Sequence, residues 1–288
     1  MEDINEKKIS TKTKLLIIGG IILFIVLCIL WARFISTRGI VIKEVKVDAT
    51  TLPDEYDGLK IVHFTDIHYG STINKKEMEH IIETINNQNA DIVIFTGDLV
   101  EQGVQLNENE VNELTDLLNK IDAKVEKYVV KGNHDFDHNY FDNIIPKTNF
   151  VLLNNSYDYF YKDSNIPIVI AGLDDYWKGK PDYKSAFSFL QDFEEQPYTI
   201  LLLHEPDQVD ELGEYKFNIA FAGHSHLGQV RLPFLGALYT PYGARKYTDS
   251  HYLINGNDLY IDGGLGTSTL KLRFFNKPSI SLYRFYTK

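Results

Sequence analysis

The chain has 288 residues, of which 44% are hydrophobic, so it can build one large domain or two small ones around a sizeable core. Lysine and arginine total 29 against 40 aspartates and glutamates, a formal charge of -11 at pH 7. Because an acidic surface repels phosphate backbones, we expect no nucleic-acid partner. The single cysteine, Cys28, excludes an intrachain disulfide and a cysteine-based zinc site.

The first predicted element is a transmembrane helix at residues 15–32, after a short tail at residues 1–14. Residues 15–31 contain no charged side chain and are just long enough to cross the hydrocarbon of a bilayer. Trp31 lies at the end, where an interfacial aromatic side chain is typical. A buried core helix is disfavoured, because helices of soluble domains have alternating apolar and polar faces. The preceding lysines are Lys7, Lys8, Lys12 and Lys14.

A cleaved signal peptide is the alternative interpretation of this segment. No small-x-small cleavage site follows Trp31 before Arg33, and Leu27 before Cys28 does not fit a lipoprotein signal. We therefore expect an uncleaved, single-pass anchor in the cell membrane. The two flanks of the segment carry equal numbers of basic residues, so the charge count leaves the orientation open.

After a linker at residues 33–39, the pattern predicts one folded domain over residues 40–288. Strands and helices alternate in its first half, which favours βαβ crossovers and a parallel sheet. The second half is richer in strands, and Gly256-Asn257 predicts a hairpin. We expect an α/β fold with a two-sheet β-sandwich flanked by helices. The predicted strands are residues 40–47, 59–64, 91–96, 127–131, 166–173, 198–204, 217–222, 251–255, 259–262 and 279–285, and the predicted helices are residues 75–86 and 108–121.

Five polar motifs follow the ends of predicted strands. Ligands bind at the carboxyl ends of strands in open α/β folds, and intervals of 32 residues (Asp66 to Asp98) and 35 residues (Asp98 to Asn133) each match one βαβ unit. Carboxylate, amide and imidazole groups hold Mn, Fe or Zn without thiolate. The motifs are Asp66-Ile67-His68, Gly97-Asp98, Gly132-Asn133-His134-Asp135, His204 and Gly223-His224-Ser225-His226.

Together these motifs offer seven metal ligands, which suits two ions that share one carboxylate. In each i, i+2 pair, Asp66 with His68 and His224 with His226, we expect both side chains on one side of an extended segment. The glycines that precede three of the ligands are expected to turn with positive φ. Capping of loops and helices is the alternative role for these side chains, and five concerted motifs disfavour it.

The order D-x-H, G-D, G-N-H-D/E, H, G-H-x-H resembles the calcineurin-like metallophosphoesterase superfamily over roughly residues 40–288. Residues 223–233, 238–242 and 264–268 are similar to bacterial membrane-anchored phosphodiesterases, some of which act on nucleotide-linked lipid pyrophosphates. The resemblance implies a metallophosphoesterase fold and catalytic domain. It also implies that Asp66, His68 and His226 hold one metal ion, that Asn133, His204 and His224 hold the other, that Asp98 bridges both and that His134 is the general acid.

The resemblance further implies a mechanism. Two divalent ions, manganese, iron or zinc, would share a bridging water, and the resulting hydroxide would attack phosphorus. His134 would protonate the leaving group. Related protein phosphatases carry G-D-x-V-D-R-G at residues 97–103, where this chain has Glu101 and Gln102. We expect Glu101 to orient His134. Gln102 replaces a phosphate-gripping arginine, and Arg231 or Arg273 is a candidate substitute in substrate binding.

Loss of that arginine disfavours a phosphorylated-protein monoester, which carries nearly two negative charges, and fits a diester or a pyrophosphate. We therefore expect a membrane-anchored phosphodiester or pyrophosphate hydrolase with a small-molecule or lipid-linked, or nucleotide-linked, phosphate substrate. The resemblance favours an extracytoplasmic domain. A non-catalytic membrane-attached interaction protein with a relict metal site and a protein phosphatase remain the alternatives. The sequence leaves the oligomeric state open.

Overall fold

The computed structural model describes residues 10–162 and 165–288, so Lys7, Lys8 and residues 1–9 of the predicted tail lie outside the described residues. Helix α1 (Thr11–Phe34) has 24 residues, and its most apolar stretch of 18 residues has a mean hydropathy of 3.1. By length and composition it is able to cross a membrane. Ser10 caps its first turn by accepting a hydrogen bond from Thr13 N at 3.2 Å. The helix is longer at both ends than the predicted segment of residues 15–32.

The remaining helices are α2 (Lys75–Asn86), α3 (Glu108–Leu118), α4 (Tyr140–Ile144) and α5 (Tyr183–Ala186). The strands are β1 (Val41–Asp48), β2 (Lys60–Phe64), β3 (Ile92–Phe95), β4 (Glu126–Val129), β5 (Val151–Leu152), β6 (Ser156–Phe160), β7 (Ile168–Gly172), β8 (Thr199–Leu202), β9 (Ile219–Ala222), β10 (Arg231–Leu232), β11 (Gly236–Ala237), β12 (His251–Ile254), β13 (Asn257–Ile261) and β14 (Ser279–Tyr286).

Two six-stranded sheets face one another. The first has the order β1-β14-β2-β3-β4-β5, and the second has the order β12-β13-β9-β8-β7-β6. Strands β2 to β5 are parallel, as are β7, β8, β9 and β13. Antiparallel pairs join β14 to β2, β6 to β7 and β12 to β13. The predicted α/β sandwich is confirmed, although each sheet is mixed rather than parallel throughout.

Strand β3 illustrates why the sheets pack on both faces. Its residues Ile92 and Ile94 point into the core between the sheets, whereas Val93 and Phe95 pack against the helices outside. All four are fully buried, so the sequence is a continuous apolar run, as expected for a strand covered on both sides. Helix α2 closes the outer face with its buried residues Met78, Ile81, Ile82 and Ile85.

The predicted hairpin between β12 and β13 exists, but its turn lies one residue earlier than expected. Ile254 pairs with Asn257, so the two-residue loop is Asn255-Gly256. Both residues have positive φ, at 51° and 88°, which is the backbone geometry of a type I′ turn. Asparagine and glycine are the residues that adopt it at low cost.

The first candidate ligand of each polar motif lies two to four residues after the last residue of a strand. The strands concerned are β2, β3, β4, β8 and β9, which end at Phe64, Phe95, Val129, Leu202 and Ala222. Because these strands are parallel within each sheet, their carboxyl ends meet at one edge of the sandwich. The fold therefore brings five loops, far apart in sequence, to a single crevice.

Candidate metal centre

The predicted ligands lie in turns rather than in extended segments. Strands β2 and β9 end before the two i, i+2 pairs, so the expectation that strand alternation aligns these side chains is wrong. Instead, a left-handed backbone conformation at each of these residues directs its side chain toward the site. Positive φ occurs at Asp66 (51°), His68 (46°), Asp98 (61°), His224 (62°) and His226 (46°).

The glycines that precede the ligands have two different roles. Gly97 has a φ of 94°, as expected for a tight turn. Gly132 has a φ of -106° and Gly223 is not among the positive-φ residues, so the same expectation is wrong for both. A Cβ at Gly132 would lie 2.5 Å from Asp98 Oδ1, and one at Gly223 would lie 2.1 Å from Thr65 Oγ1. These two glycines are needed because neighbouring loops approach them closely.

The first group of converging side chains is Asp66, His68 and His226. Asp66 Oδ1 lies 3.6 Å from His68 Nε2 and 3.5 Å from His226 Nε2. The two Nε2 atoms are 3.0 Å apart. All three residues are buried. Their ligand atoms lie within 4.8 Å of one another, so one cation would fit among them.

The second group is Asp98, His204 and His224, again with all ligand atoms within 4.8 Å. Asp98 Oδ2 lies 3.3 Å from His204 Nε2 and 3.6 Å from His68 Nε2. One carboxylate oxygen thus faces both groups. His68, Asp98 and His134 also satisfy the same distance limit, so His134 stands at the border of the site.

Buried polar atoms of this site lack protein partners. Within the described part of the chain, Asp66 Oδ1, Asn133 Oδ1 and His204 Nε2 have no hydrogen-bond partner. Leaving such groups unpaired costs about 1–3 kcal/mol each. Each of the three atoms is of a type that can donate an electron pair to a cation. Asn133 also lies in a loop that passes close to His204, since a Cβ added at the preceding Gly132 would lie 2.8 Å from His204 Cε1. The residues present therefore fit bound cations.

For two of the histidines, a backbone carbonyl determines which ring nitrogen faces the site. His204 Nδ1 donates to the carbonyl oxygen of Thr96 at 2.6 Å. His224 Nε2 donates to the carbonyl oxygen of Tyr242 at 2.8 Å. A nitrogen that donates to a carbonyl carries a proton, so in the neutral ring the opposite nitrogen is the one that keeps a lone pair. His204 therefore presents Nε2 to the site, and His224 presents Nδ1.

Electrostatics divides the histidines into two pairs. Burial and the charge of His204 lower the pKa of His224 to about 4, and burial lowers the pKa of His226 well below its usual range. Burial also opposes a charge on His68 and His204, but the surrounding carboxylates outweigh it. They raise the pKa of His68 to about 10 and the pKa of His204 well above its usual range.

The two carboxylates at the centre stay ionised. Burial favours the neutral acid, but His226 and His68 outweigh it at Asp66, and His204 and His134 outweigh it at Asp98. The pKa of each carboxyl therefore lies below its usual range. Without a cation, protons on His68 and His204 balance part of this negative charge.

Two hydrogen bonds hold His134 in place. Its Nδ1 accepts a hydrogen bond from the backbone N–H of Gln102 at 3.0 Å, and its own backbone N–H donates to Asp98 Oδ1 at 2.8 Å. Burial lowers the pKa of the ring. Because Nδ1 is an acceptor, the proton of the neutral ring sits on Nε2.

Glu101 lies between His68 and His134, closer to the first. Its Oε2 is 2.7 Å from His68 Nδ1 and 3.7 Å from His134 Nδ1. The backbone of Gln102, rather than Glu101, makes the hydrogen bond to His134. The orientation of His134 by Glu101 stays a prediction, and the shorter contact indicates a stronger effect on His68.

The two arginines predicted for substrate binding are engaged within the chain. Arg273 is fully buried, and it donates to the carbonyl oxygens of Gly264 and Gly266 at 3.0 and 2.6 Å. Its Nη2 also lies 3.3 Å from His226 Nδ1. Arg231 donates to Leu227 O at 2.7 Å, and its Nη2 lies 2.5 Å from Asp249 Oδ1. A phosphate contact by either arginine stays a prediction.

Sequence reasoning missed the main role of Asp135. Its carboxylate accepts hydrogen bonds from the backbone N–H groups of Asp98 and Leu99, both at 2.8 Å, and of Gly132 at 2.9 Å. Burial and the charge of Asp98 raise its pKa to about 7. The residue therefore joins the loop of Asp98 to the loop of Asn133. Only the position of Asp135 after the G-N-H motif hints at this function.

An aromatic wall borders the site on the side of His224. The Trp177 ring, half exposed, lies 6.3 Å from the His224 ring and 6.0 Å from Tyr242. Tyr176 stacks on Tyr242 with ring centroids 5.8 Å apart. Lys178 and Arg245 extend over Trp177 and Tyr242, respectively. The wall offers flat apolar surface with positive charge at its margin.

The fold and these buried carboxylate–imidazole clusters define a metallophosphoesterase. The family model for calcineurin-like phosphoesterases matches residues 59–228. The chain is 32% identical over 256 residues to the metallophosphoesterase YkuE of Bacillus subtilis, covering 88% of each chain. It is 28% identical to a metallophosphoesterase of Helicobacter pylori, over 86% of this chain and 64% of that one.

It is also 24% identical to the UDP-2,3-diacylglucosamine pyrophosphatase LpxG of Chlamydia muridarum, over 90% of this chain and 93% of that one. The chain belongs to the calcineurin-like phosphoesterase family. Membership makes it a metal-dependent phosphoric ester hydrolase by class, and the His/Asp clusters could hold divalent metal.

Proposed function

We propose that the chain is a membrane-anchored hydrolase of phosphodiesters or pyrophosphates that uses two divalent metal ions. Asp66, His68 and His226 would hold one ion, and Asn133, His204 and His224 the other. The observation that carries this proposal is the position of Asp98, whose Oδ2 lies 3.6 Å from His68 Nε2 and 3.3 Å from His204 Nε2. A carboxylate placed between two ligand groups is suited to a shared ligand.

When bound, such ions supply Lewis-acid polarisation of phosphate oxygens and activation of water. The chain's own groups complete the chemistry. Thr96 and Tyr242 fix the tautomers of His204 and His224 through their carbonyls, so each ring keeps a lone pair directed inward. His134, with Nδ1 engaged by Gln102, would donate the Nε2 proton to the leaving oxygen.

Two observations favour a diester or a pyrophosphate over a protein monoester. Gln102 occupies the place of the arginine that binds phosphate in related protein phosphatases. Its backbone N–H donates a hydrogen bond to His134. The relative LpxG is named a UDP-2,3-diacylglucosamine pyrophosphatase, so its name gives a nucleotide-linked, diacylated substrate. The half-exposed Trp177 beside His224 gives a flat surface for a planar part of such a substrate.

The domain would lie beside the membrane on the extracytoplasmic side. Helix α1 provides the anchor, residues 33–39 the connection and residues 40–288 the catalytic domain. A lipid-linked phosphate would share this surface with the enzyme. A single cysteine placed in the exposed turn at Asn255, in a Cys28→Ser background, tests on which side of the membrane the domain lies. Labelling of intact cells by a membrane-impermeant maleimide supports the extracytoplasmic placement, and labelling only after lysis contradicts it.

Activity tests the proposal most simply on the purified full chain in detergent. Bis-(p-nitrophenyl) phosphate, p-nitrophenyl phosphate and a nucleoside diphosphate lipid are compared with Mn²⁺, Fe²⁺ or Zn²⁺ and with a chelator. We expect turnover of a diester or pyrophosphate that the chelator abolishes and added metal restores. Metal binding without turnover of any ester would favour the relict-site alternative. Preference for the monoester and for phosphorylated peptides would favour a protein phosphatase.

A further inference from the structure

A cluster of large apolar side chains is exposed at one end of the catalytic domain. The hairpin formed by β10 and β11 has Phe234 and Leu235 at its tip, with Phe234 fully exposed and Leu235 exposed by 75%. Monomeric soluble domains rarely leave several such residues together in water. We call this set the apolar hairpin surface, and its members are Phe234, Leu235, Leu238, Tyr239, Leu270 and Phe275.

This surface is continuous with the end of helix α1. Trp31 packs edge-to-face on Phe274, with ring centroids 5.7 Å apart, and lies 6.4 Å from Phe275. The backbone N–H of Arg273 donates to Ala32 O at 3.0 Å. Phe275 also lines an open groove together with the tip of the hairpin. The apolar side chains therefore begin where the membrane segment ends.

Charge is distributed around this surface in an unusual way. The chain contains 40 acidic residues, yet residues 229–248 and 263–278 contain none. Both segments belong to the apolar hairpin surface or flank it, and they carry the exposed basic residues Arg245, Lys246, Lys271 and Lys277. Asp249, which lines the same groove, is paired with Arg231. Exposed apolar side chains with basic neighbours are typical of protein surfaces that enter the headgroup region of an anionic bilayer.

We propose that the apolar hairpin surface docks into the headgroup region of the bilayer that holds α1. Phe234 and Leu235 would insert at the tip, and Lys271 and Lys277 would contact anionic lipid headgroups. A second copy of the chain is a less suitable occupant, because Phe274 and Phe275 pack beside Trp31, at the end of the helix that would cross the bilayer. Docking would add a second attachment to the anchor and fix the orientation of the domain.

The orientation matters because the hairpin is joined to the metal centre. It begins five residues after His226, and Arg231 returns to Leu227 O at 2.7 Å. Behind it, Asn276 donates to His226 O, and Arg273 Nη2 lies 3.3 Å from His226 Nδ1. Docking of the hairpin would therefore hold the mouth of the site beside lipid headgroups. This consequence rests on the proposed hydrolase function, whereas the docking itself does not.

Site-directed spin labelling of the full chain in vesicles tests the docking. The vesicles contain equal parts of phosphatidylcholine and phosphatidylglycerol, and each label is attached to one cysteine in a Cys28→Ser background. Leu235→Cys is the test variant and Leu23→Cys, within α1, reports the anchor. Leu253→Cys is the matched control, because Leu253 is exposed by 68% on β12, outside the apolar hairpin surface.

We expect the label at Leu235 to collide with lipid-soluble oxygen and to be shielded from a water-soluble nickel complex. The label at Leu253 should show the opposite behaviour, and the label at Leu23 should lie deep in the hydrocarbon. A deeply buried label at Leu23 together with a water-exposed label at Leu235 would overturn the docking while keeping the anchor. A water-exposed label at Leu23 would overturn the membrane placement on which the docking depends.

A pair of substrates with the same leaving group tests whether docking holds the mouth of the site beside lipid headgroups. Leu235→Ser should lower hydrolysis of hexadecyl p-nitrophenyl phosphate dissolved in the vesicles by about tenfold, because the variant loses the favourable burial of one leucine side chain at the bilayer. Hydrolysis of water-soluble bis-(p-nitrophenyl) phosphate should stay unchanged, and Leu253→Ser should affect neither. Equal loss on both substrates would contradict the consequence. Absence of any hydrolysis by the unmodified chain would refute the hydrolase function and leave the labelling result to decide the docking.

Discussion

The metal centre and the apolar hairpin surface depart from ordinary burial in opposite directions. At the metal centre, Asp66 and Asp98 are ionised carboxylates with almost no exposure. On the hairpin, Phe234 and Leu235 are apolar and open to solvent. Either arrangement costs free energy in an isolated soluble domain. The comparison teaches that each region is complete only with a partner, which we propose to be cations in one and a bilayer surface in the other.

The largest effect should come from the residue that the two ligand groups share. Asp98→Asn keeps the size of the side chain but removes the negative charge that faces both groups. We expect loss of bound metal and a fall in turnover on the order of 10⁴-fold, since metal catalysis supplies several kcal/mol and each 1.36 kcal/mol is tenfold. Elemental analysis and steady-state kinetics measure both. An Asp98→Asn variant that keeps its full metal content would show that metal binding does not depend on the charge of this carboxylate.

Replacement of His134 should reduce turnover without removing metal. We expect His134→Ala to lower hydrolysis of esters with alkyl leaving groups by about 10²–10⁴-fold, the usual contribution of a general acid. Esters of p-nitrophenol, whose leaving group needs little protonation, should lose much less. His138→Ala is the control, because His138 lies four residues further along. An equal loss on both kinds of ester would assign His134 to metal binding rather than to proton transfer.

Metal affinity should rise with pH. The pKa of His68 is raised to about 10 and that of His204 is raised above its usual range, so both rings hold a proton near neutral pH. A cation must displace these protons, whereas His224, with its pKa lowered to about 4, offers a free lone pair. We expect release of about two protons and an affinity gain of about 100-fold per pH unit at most. Calorimetry in buffers of different ionisation enthalpy would detect the protons, and a pH-independent affinity would contradict the charge balance.

The smallest effect should come from Glu101. Its Oε2 lies 2.7 Å from His68 Nδ1, so Glu101→Gln should weaken metal binding by about tenfold, the lower end of the range for outer-shell residues. If Glu101 instead serves mainly His134, the variant should keep its metal affinity and lose turnover in the manner of His134→Ala. Glu110→Gln, in the first turn of α3 and outside the two ligand groups, is the matched control. Titration with Mn²⁺ and kinetics at saturating metal distinguish the two roles.

Residue types and spacing were sufficient to predict the sandwich and the convergence of five motifs. The intervals from Asp66 to Asp98 and from Asp98 to Asn133 reflect βαβ units, which the structure contains. Local backbone was predicted less well, because the left-handed turns at His68 and His226 depend on loops that only the folded chain brings together. The close approach that requires glycine at positions 132 and 223 has the same origin.

Outer contacts were the least predictable part of the site. Backbone carbonyls of Thr96 and Tyr242 orient two histidines. Every residue has a backbone carbonyl, so the residue type does not show which carbonyl accepts the hydrogen bond. Asp135 joins two loops through backbone N–H groups, which every residue except proline offers. The apolar hairpin surface was not predicted, because a sequence does not show whether its apolar side chains are buried or exposed.

Two ions on either side of one carboxylate form the central claim, and anomalous X-ray scattering from crystals of the Mn²⁺-loaded full chain tests it most directly. We predict two manganese peaks, one among Asp66, His68 and His226 and one among Asn133, His204 and His224, with Asp98 in contact with both. A single peak, or two peaks without a shared contact to Asp98, would contradict the account.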